Sequence, residues 1–519
     1  MMESPLGDLV DYLVISAACF PRRSALVHQN HCVSYADLLA ESQSLADVFK
    51  ASGLKGKLVG IMAPAIPETV YVYYACFISG AVLVPINYSF RFKELRTLLE
   101  NCPIRVLFYH EDHECELQRV GKPFDQIPIK IRINRTASES ASIKEAFNNP
   151  EQQSANPSHA ARSNQDEPAV IFHTSGTTGK PKGAFHSRHS ASYFARCYLQ
   201  LAVDEKEPRT LIARNCYHSG GFFHLTGALA SGATCFLNDS PNGFDAEAFV
   251  RQLEEYEITQ VFLSVSMLNA LLASKSVSEA TFRSSRFVSV GADEVKPYHY
   301  SELRKYTQLP LSVRYSSTEA TCISIEKCQS GEWDVISVGT PQTHFDWKIE
   351  LTDPEESVGE LLLKGPAVFS GYYNNPEESK NCFTEDGWYR TRDLFRVNKS
   401  NQLIFCGRNR NTIKVGGKIV YPNEIEAAVN AHRNVRDSVA VAVPHLIEVQ
   451  VPFLFVQPLN GAVICEQELL EFLSDCLAIY KVPAGIRIID SFPLTQGEKI
   501  DRQQLVGMAR HLCSGDANA

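Results

Sequence analysis

Short apolar runs alternate with amphipathic stretches along most of the chain. Residues 58–62, 81–86, 106–109, 169–172 and 287–290 are apolar or nearly so, at the length of strands covered on both faces. Between them the period lengthens. Ser34 is placed to cap a helix over 34–49, with Asp37 in its first turn, Leu38, Leu45, Val48 and Phe49 on one face, and Gly53 to stop it. Residues 69–79 read as a buried helix feeding the strand at 81–86. Strands and helices in alternation predict βαβ units and largely parallel sheets. Residues 137–167, rich in Ser, Asn, Gln and Ala, have little to bury and read as a surface linker. Past residue 420 a helix starts at Tyr421-Pro422. Strands follow at 438–443 and 452–457, then a helix with Leu469, Phe472, Leu473, Cys476 and Tyr480 on one side. That is enough for a small α+β domain. No internal repeat is present.

At 519 residues the chain exceeds one core, so at least two domains are expected. A formal charge of −9 argues against general nucleic-acid binding, so an anionic ligand has to be held by a local cluster of positive groups. The 15 cysteines include no C-x-x-C and read as reduced, small apolar residues. Residues 70–86 are the strongest membrane candidate, but they contain Gly80 and Pro85 and fall short of the roughly 20 residues a span needs. Residues 9–20 are interrupted by Asp11 and follow no basic region, so they make a poor signal peptide. The expected location is cytoplasmic.

Candidate chemistry concentrates in one stretch, Thr174-Ser175-Gly176-Thr177-Thr178-Gly179-Lys180-Pro181-Lys182-Gly183, expected as a loop between the strand at 169–172 and a helix over 187–201. Glycines free the backbone N–H groups to turn toward a ligand, while hydroxyls and lysines add donors and positive charge, as a polyphosphate requires. The spacing is not G-x-x-x-x-G-K-[ST]: the second glycine would fall on Pro181 or Ala184. A mobile surface loop is the plainer alternative. Downstream, His218 begins a small-residue run, Ser219-Gly220-Gly221, beside Phe222 and Phe223. Gly291-Ala292-Asp293-Glu294 ends an apolar strand, where ligands sit in α/β sheets; Asp293 and Glu294 read equally well as solvated turn residues. Tyr315-Ser316-Ser317-Thr318-Glu319 sets a hydroxyl beside a carboxylate, which suits a phosphate with its Mg²⁺, or simply starts a helix. Tyr389-Arg390-Thr391-Arg392-Asp393, Gly407-Arg408, Gly416-Gly417 and Pro493-Leu494-Thr495-Gln496-Gly497-Glu498-Lys499 complete the set.

These motifs, in this order, resemble the acyl-adenylate-forming superfamily, which includes acyl- and aryl-CoA synthetases, luciferases and peptide-synthetase adenylation domains. The resemblance runs from about residue 30 to 505. It implies an α/β fold: a large N-terminal domain (1–409) of two mostly parallel sheet subdomains plus a small β-barrel, then a mobile α+β C-terminal lid (410–519). By resemblance, residues 174–179 and Lys182 hold the ATP phosphates, and Gly291, Ala292, Tyr315 and Ser316 hold the adenine. Thr318 donates to phosphate and Glu319 serves Mg²⁺. Asp393 takes the ribose hydroxyls and Arg408 the ribose or phosphate. His218 closes on the acyl carboxylate, Lys499 neutralises the α-phosphate, and Gly416-Gly417 borders the CoA tunnel. An acid near His218, as peptide-synthetase domains have, is missing, which points away from α-amino acids. Four positions depart from the family pattern: Ser316, Arg392 and Glu498 stand at glycine positions and Asn411 at an acidic hinge. If the backbone at Arg392 needs positive φ, the strain is about 1 kcal/mol or more; otherwise its charge serves the phosphates.

The activity so implied joins a fatty or aromatic carboxylic acid to AMP and then to CoA, with ATP, Mg²⁺ and CoA as cofactors, in a monomer or homodimer without nucleic acid or membrane span. Two alternatives stand beside it: an acyl-AMP ligase loading a separate carrier protein, and a non-catalytic nucleotide- or acyl-binding member. Phe222 and Phe223 suggest an apolar guest.

Overall fold

The computed structural model describes residues 7–133, 166–174, 182–201, 205–238, 244–328, 337–353, 357–415, 418–445, 449–459, 462–495 and 499–515. Among the described residues, three sheets precede residue 409. A seven-stranded sheet orders Gly371–Tyr372, Lys182–Ser187, Pro168–Thr174, Val82–Pro85, Leu58–Met62, Ile104–His110 and Ile129–Ile133. An eight-stranded sheet orders Thr321–Cys328, Leu311–Ser317, Phe287–Gly291, Gln260–Ser264, Arg209–Ile212, Thr234–Leu237, Ser24–His28 and His31–Ser34. Their central pairs are parallel, as the alternation predicts, and antiparallel pairs lie toward the edges. Where the resemblance implies a small barrel, Asp346–Asp353, Val358–Lys364, Tyr389–Val397 and Leu403–Arg408 form a four-stranded antiparallel sheet. After residue 412 a five-stranded sheet is built around the long hairpin Val435–His445 and Val449–Pro458.

The elements form for the reasons legible in the chain. Ser34 accepts from the Asp37 N–H at 3.1 Å and caps Tyr35–Ala51. Pro67–Ser79 ends at Gly80 with φ 77°, and Val82–Pro85 is buried throughout. The apolar stretch near the N-terminus is the helix Leu9–Cys19, capped by Asp8. Two expectations differ. The stretch 174–183 joins two antiparallel strands, Pro168–Thr174 and Lys182–Ser187, not a strand to a helix. The reason is burial: Gly183, Ala184 and His186 pack inside, so the chain crosses the sheet once more before Ser187 caps Arg188–Leu199. The late helix Glu466–Cys476 also stops short of Tyr480, which lies in a separate turn. Among the described residues no helix is long and apolar enough to cross a membrane. The expectations for Ser175, Gly176, Thr177, Thr178, Gly179, Gly416, Gly417, Glu498 and most of the 137–167 linker lie outside the described residues.

Candidate active site

The candidate residues come from strand ends of both large sheets, from the four-stranded sheet, which supplies Asp393 and Arg408, and from the last lobe, which supplies Lys499. Thr318 and Glu319 follow the strand Leu311–Ser317, whose partners are Phe287–Gly291 on one side and Thr321–Cys328 on the other. The Thr318 hydroxyl lies 3.1 Å from that of Ser219, at the start of the helix Ser219–Ala230. The Thr318 carbonyl accepts from His186 Nε2 at 2.7 Å, tying this strand end to the strand that follows the phosphate-loop stretch. Burial lowers the His186 pKa to about 4, so the ring is neutral and can hold this bond. Glu319 accepts from the Tyr372 hydroxyl at 2.9 Å, and burial and the Glu319 charge raise the Tyr372 pKa. Lys182 pairs with Glu378 at 2.8 Å, close to the Tyr372 ring.

Asp393, 5% exposed, is held at both oxygens: Arg408 Nε stands 3.0 Å from Oδ1 and the Tyr315 hydroxyl donates to Oδ2 at 2.8 Å. The Tyr315 ring packs against Phe395, not flat over open space. Each carboxylate oxygen keeps a second lone pair, so a cis-diol can still donate to the same group. Arg392 does sit at φ 61°, as its glycine-like position requires. Its N–H goes to Glu360 Oε1 at 2.9 Å and its guanidinium lies 3.9 Å from Glu378. Ser316 is exposed and its φ is not positive, so no glycine is needed there. Ala292, in contrast, has φ 74°. A Cβ on Gly291 would meet the Arg314 carbonyl at 2.9 Å, so that backbone approach depends on glycine.

Lys499 belongs to the last lobe but faces this cluster. A short hairpin presents it: the Thr495 N–H donates to the Lys499 carbonyl at 2.7 Å and Leu494 bridges Ile500. Desolvation by the surrounding protein lowers its pKa although the residue keeps an exposed surface, with Asp293 and Asp393 opposing and Arg408 and Arg214 acting in the same direction. His218 feels Lys499 too: burial first, then Arg214 and Lys499, lower its pKa to about 3, so it is a neutral ring. Lys499, Asp393, Arg408, Asp293 and His218 therefore share one electrostatic neighbourhood drawn from both lobes.

Across the same seam, the Asn423 amide donates to Glu294 at 2.8 Å, and Lys296 pairs with Asp437 and donates to the Ser438 carbonyl at 3.2 Å. Glu294 is thus no solvated turn residue. Asn411 ends the single turn Asn409–Asn411 between Leu403–Arg408 and Ile413–Val415. Sequence reasoning missed Arg214, Arg314, Tyr372 and Glu378. Only Arg314 left a signal, a charge in the middle of an otherwise uncharged strand. Phe222, read as facing a guest, is fully buried against Tyr73, Phe77, Phe172 and Phe194.

Residues 13–373 match the AMP-binding enzyme family and residues 424–499 match the AMP-binding enzyme C-terminal domain. The chain is 28% identical over 509 residues to the 2-succinylbenzoate–CoA ligase of Bacillus licheniformis, covering 96% of this chain and 100% of that protein. It is also 28% identical to the indoleacetate–CoA ligase of Aromatoleum aromaticum, covering 96% and 98%. Among solved structures, the o-succinylbenzoate CoA synthetase of Bacillus subtilis with its acyl-adenylate superposes with a TM-score of 0.76 at 25% identity, covering 97% of this chain and 98% of that one. ATP-bound MatB from Rhodopseudomonas palustris superposes at 0.85 with 22% identity, covering 97% and 99%, a likeness of fold alone.

Proposed function

The chain belongs to the AMP-binding enzyme family, and on that premise we propose that it is an ATP-dependent carboxylic acid–CoA ligase. The observation that carries the reading is Lys499: a lysine of the smaller lobe standing with Asp393, Arg408 and His218 of the larger one. In the first step a carboxylate oxygen bonds to the α-phosphorus of ATP, the bond to the β-phosphate's bridging oxygen breaks, and pyrophosphate leaves. In the second, the CoA thiolate attacks the acyl carbon and AMP leaves. The protein's work is alignment and charge neutralisation.

Asp393 receives the ribose hydroxyls. Thr318 and Lys182 donate to the phosphates with residues 174–179, and Lys499 meets the α-phosphate and the attacking carboxylate. Neutral His218 lies beside that carboxylate without adding charge. Gly291, Ala292, Tyr315 and Ser316 border the adenine. Glu319, held by Tyr372, is the carboxylate that would serve Mg²⁺, whose chemistry is to neutralise phosphate charge. Among the described residues no group of three His, Cys, Asp or Glu side chains could ligate a metal. One carboxylate plus the nucleotide's own oxygens is the usual arrangement for Mg²⁺. The lobes divide at residues 409 and 410, and rotation about Asn411 withdraws Lys499 and brings Gly416-Gly417 to the pantetheine. The setting is the cytoplasm. The CoA ligases among the relatives support CoA over a carrier protein as the acceptor.

The test is acid-dependent pyrophosphate release followed by CoA-thiol consumption, screened over fatty, aryl and dicarboxylic acids including 2-succinylbenzoate and indoleacetate. Lys499→Ala is expected to slow adenylation by about 10²–10³ and to spare thioester formation from supplied acyl-adenylate. Equal loss in both steps refutes the role given to Lys499. Release with no acid at all refutes the ligase.

A further inference from the structure

Arg314 has no place in that reading. It lies in the strand Leu311–Ser317, immediately before Tyr315, and is 8% exposed. Its guanidinium rests over the rings of Phe262 at 5.0 Å and Phe223 at 5.6 Å. Its Nε is buried and has no hydrogen-bond partner among the described residues. Among the described residues the titratable groups that act on it are Cys322, Arg214 and Tyr198, and none is a carboxylate. Burial and Arg214 together lower its pKa to about 10, which still leaves it charged at neutral pH. Glu205, an acid that acts on Tyr198, accepts from Thr259 at 3.0 Å and Gln260 at 3.5 Å instead.

A guanidinium taken out of water is ordinarily paired with a carboxylate or phosphate, because burial removes hydration that only an anion and its hydrogen bonds replace. Aromatic faces replace part of it and leave the N–H groups without acceptors. Here the second charge in range makes the deficit larger. Arg214 acts on Arg314, His224, His218 and Lys499 alike, so positive potential runs from the adenylation chemistry at Lys499 to Arg314. A Cβ on Gly220 would come within 2.5 Å of Arg214 Nη1, so the small residue beside His218 makes room for a guanidinium. The helix Ser219–Ala230, whose N-terminus adds a further positive end, carries Phe223 under the Arg314 guanidinium and His224 against Phe262.

We infer that the acid activated here carries a second anionic group, a distal carboxylate, which pairs with Arg314 under the field of Arg214 while the first carboxylate meets Lys499 and His218. The inference rests on the ligase reading and narrows it to dicarboxylic acids. It also revises the apolar guest: Phe223 serves as the bed of a guanidinium and Phe222 is core.

The experiment is pyrophosphate release by the full chain with ATP and Mg²⁺. The acids are malonate through suberate, each against the monocarboxylate of equal carbon count, and phthalate against benzoate. In the best-used pair the dianion is expected to lead in kcat/KM by about 10²-fold or more, since a site built for a polar group rejects the analogue lacking it. Arg314→Met should remove that lead and leave the monocarboxylate as good or better, a change of ratio that simple destabilisation does not produce. The wild-type comparison needs no variant, so a misfolded Arg314→Met leaves it standing. A monocarboxylate equal or superior in every pair overturns the distal-anion assignment alone. So does an equal loss for both members of a pair in Arg314→Met. No acid-dependent release from any acid overturns the ligase reading and the assignment together.

Discussion

Replacing Asp437 by Asn tests whether the lobe seam holds Lys499 in place. Lys296 and Asp437 form an ion pair between the lobes, their side chains 11% and 7% exposed. The Asp437 carboxylate also accepts from the Ser438 N–H at 2.7 Å, a bond that the asparagine carbonyl can keep. Burial by itself would lower the Lys296 pKa, but Asp437, Glu426 and Glu294 together raise it. Leaving one member of a buried pair without its partner costs about 3–5 kcal/mol. Glu294 and Glu426 remain beside Lys296, so the cost here should fall to about 2–3 kcal/mol, or about 30–150-fold in the docked population. The assay is ATP–pyrophosphate exchange with the best acid, set against thioester formation from supplied acyl-adenylate. Exchange is expected to fall by that factor while the thioester step is unchanged, because on the proposed mechanism the first step alone uses Lys499 docked. Equal loss in both, or exchange at the wild-type rate, refutes the reasoning.

Burial holds His218 and His299 to about 3 and His173 and His186 to about 4. Each folded-state value lies below the ordinary 6.5, so unfolding takes up protons: this contribution is present above about pH 6.5 and is lost as pH falls toward the folded values. The melting temperature should drop between about pH 7 and pH 5, and a flat profile there would contradict the assignment. Arg392 sits at φ 61°, its N–H bond to Glu360 is one a glycine keeps, and its guanidinium makes a long contact to Glu378, so Arg392→Gly trades strain of about 1–2 kcal/mol against glycine's entropy of about 0.5–1 and should be neutral to slightly stabilising. Arg392→Val should be destabilising, and a valine variant melting at or above the glycine one would show that the strain is not there.

Legibility divides by the range of the interaction. The caps at Ser34 and Asp8, the buried run Leu58–Met62 and the stop at Gly80 are local, and a few neighbouring residues decide them. The motif residues Thr318, Glu319, Asp393 and Lys499 are proposed for the site because their spacing carries the family pattern. The positive φ at Arg392 followed from its standing at a glycine position. The strand after the phosphate stretch was missed because residues 182–187 lack strict alternation and are drawn into the sheet by what covers them.

The amino-acid order by itself determined the alternation of elements, the two-lobed division and the kind of chemistry, since each depends on residue type and spacing along one segment. Only the tertiary structure decided where the charges are spent. Glu294 finds Asn423, Lys296 finds Asp437, and Arg314 lies among rings from other elements with no acid acting on it among the described residues. Burial and pairing are properties of neighbours in space, and these neighbours lie from about 50 to about 140 positions away in the chain, where no local pattern reaches.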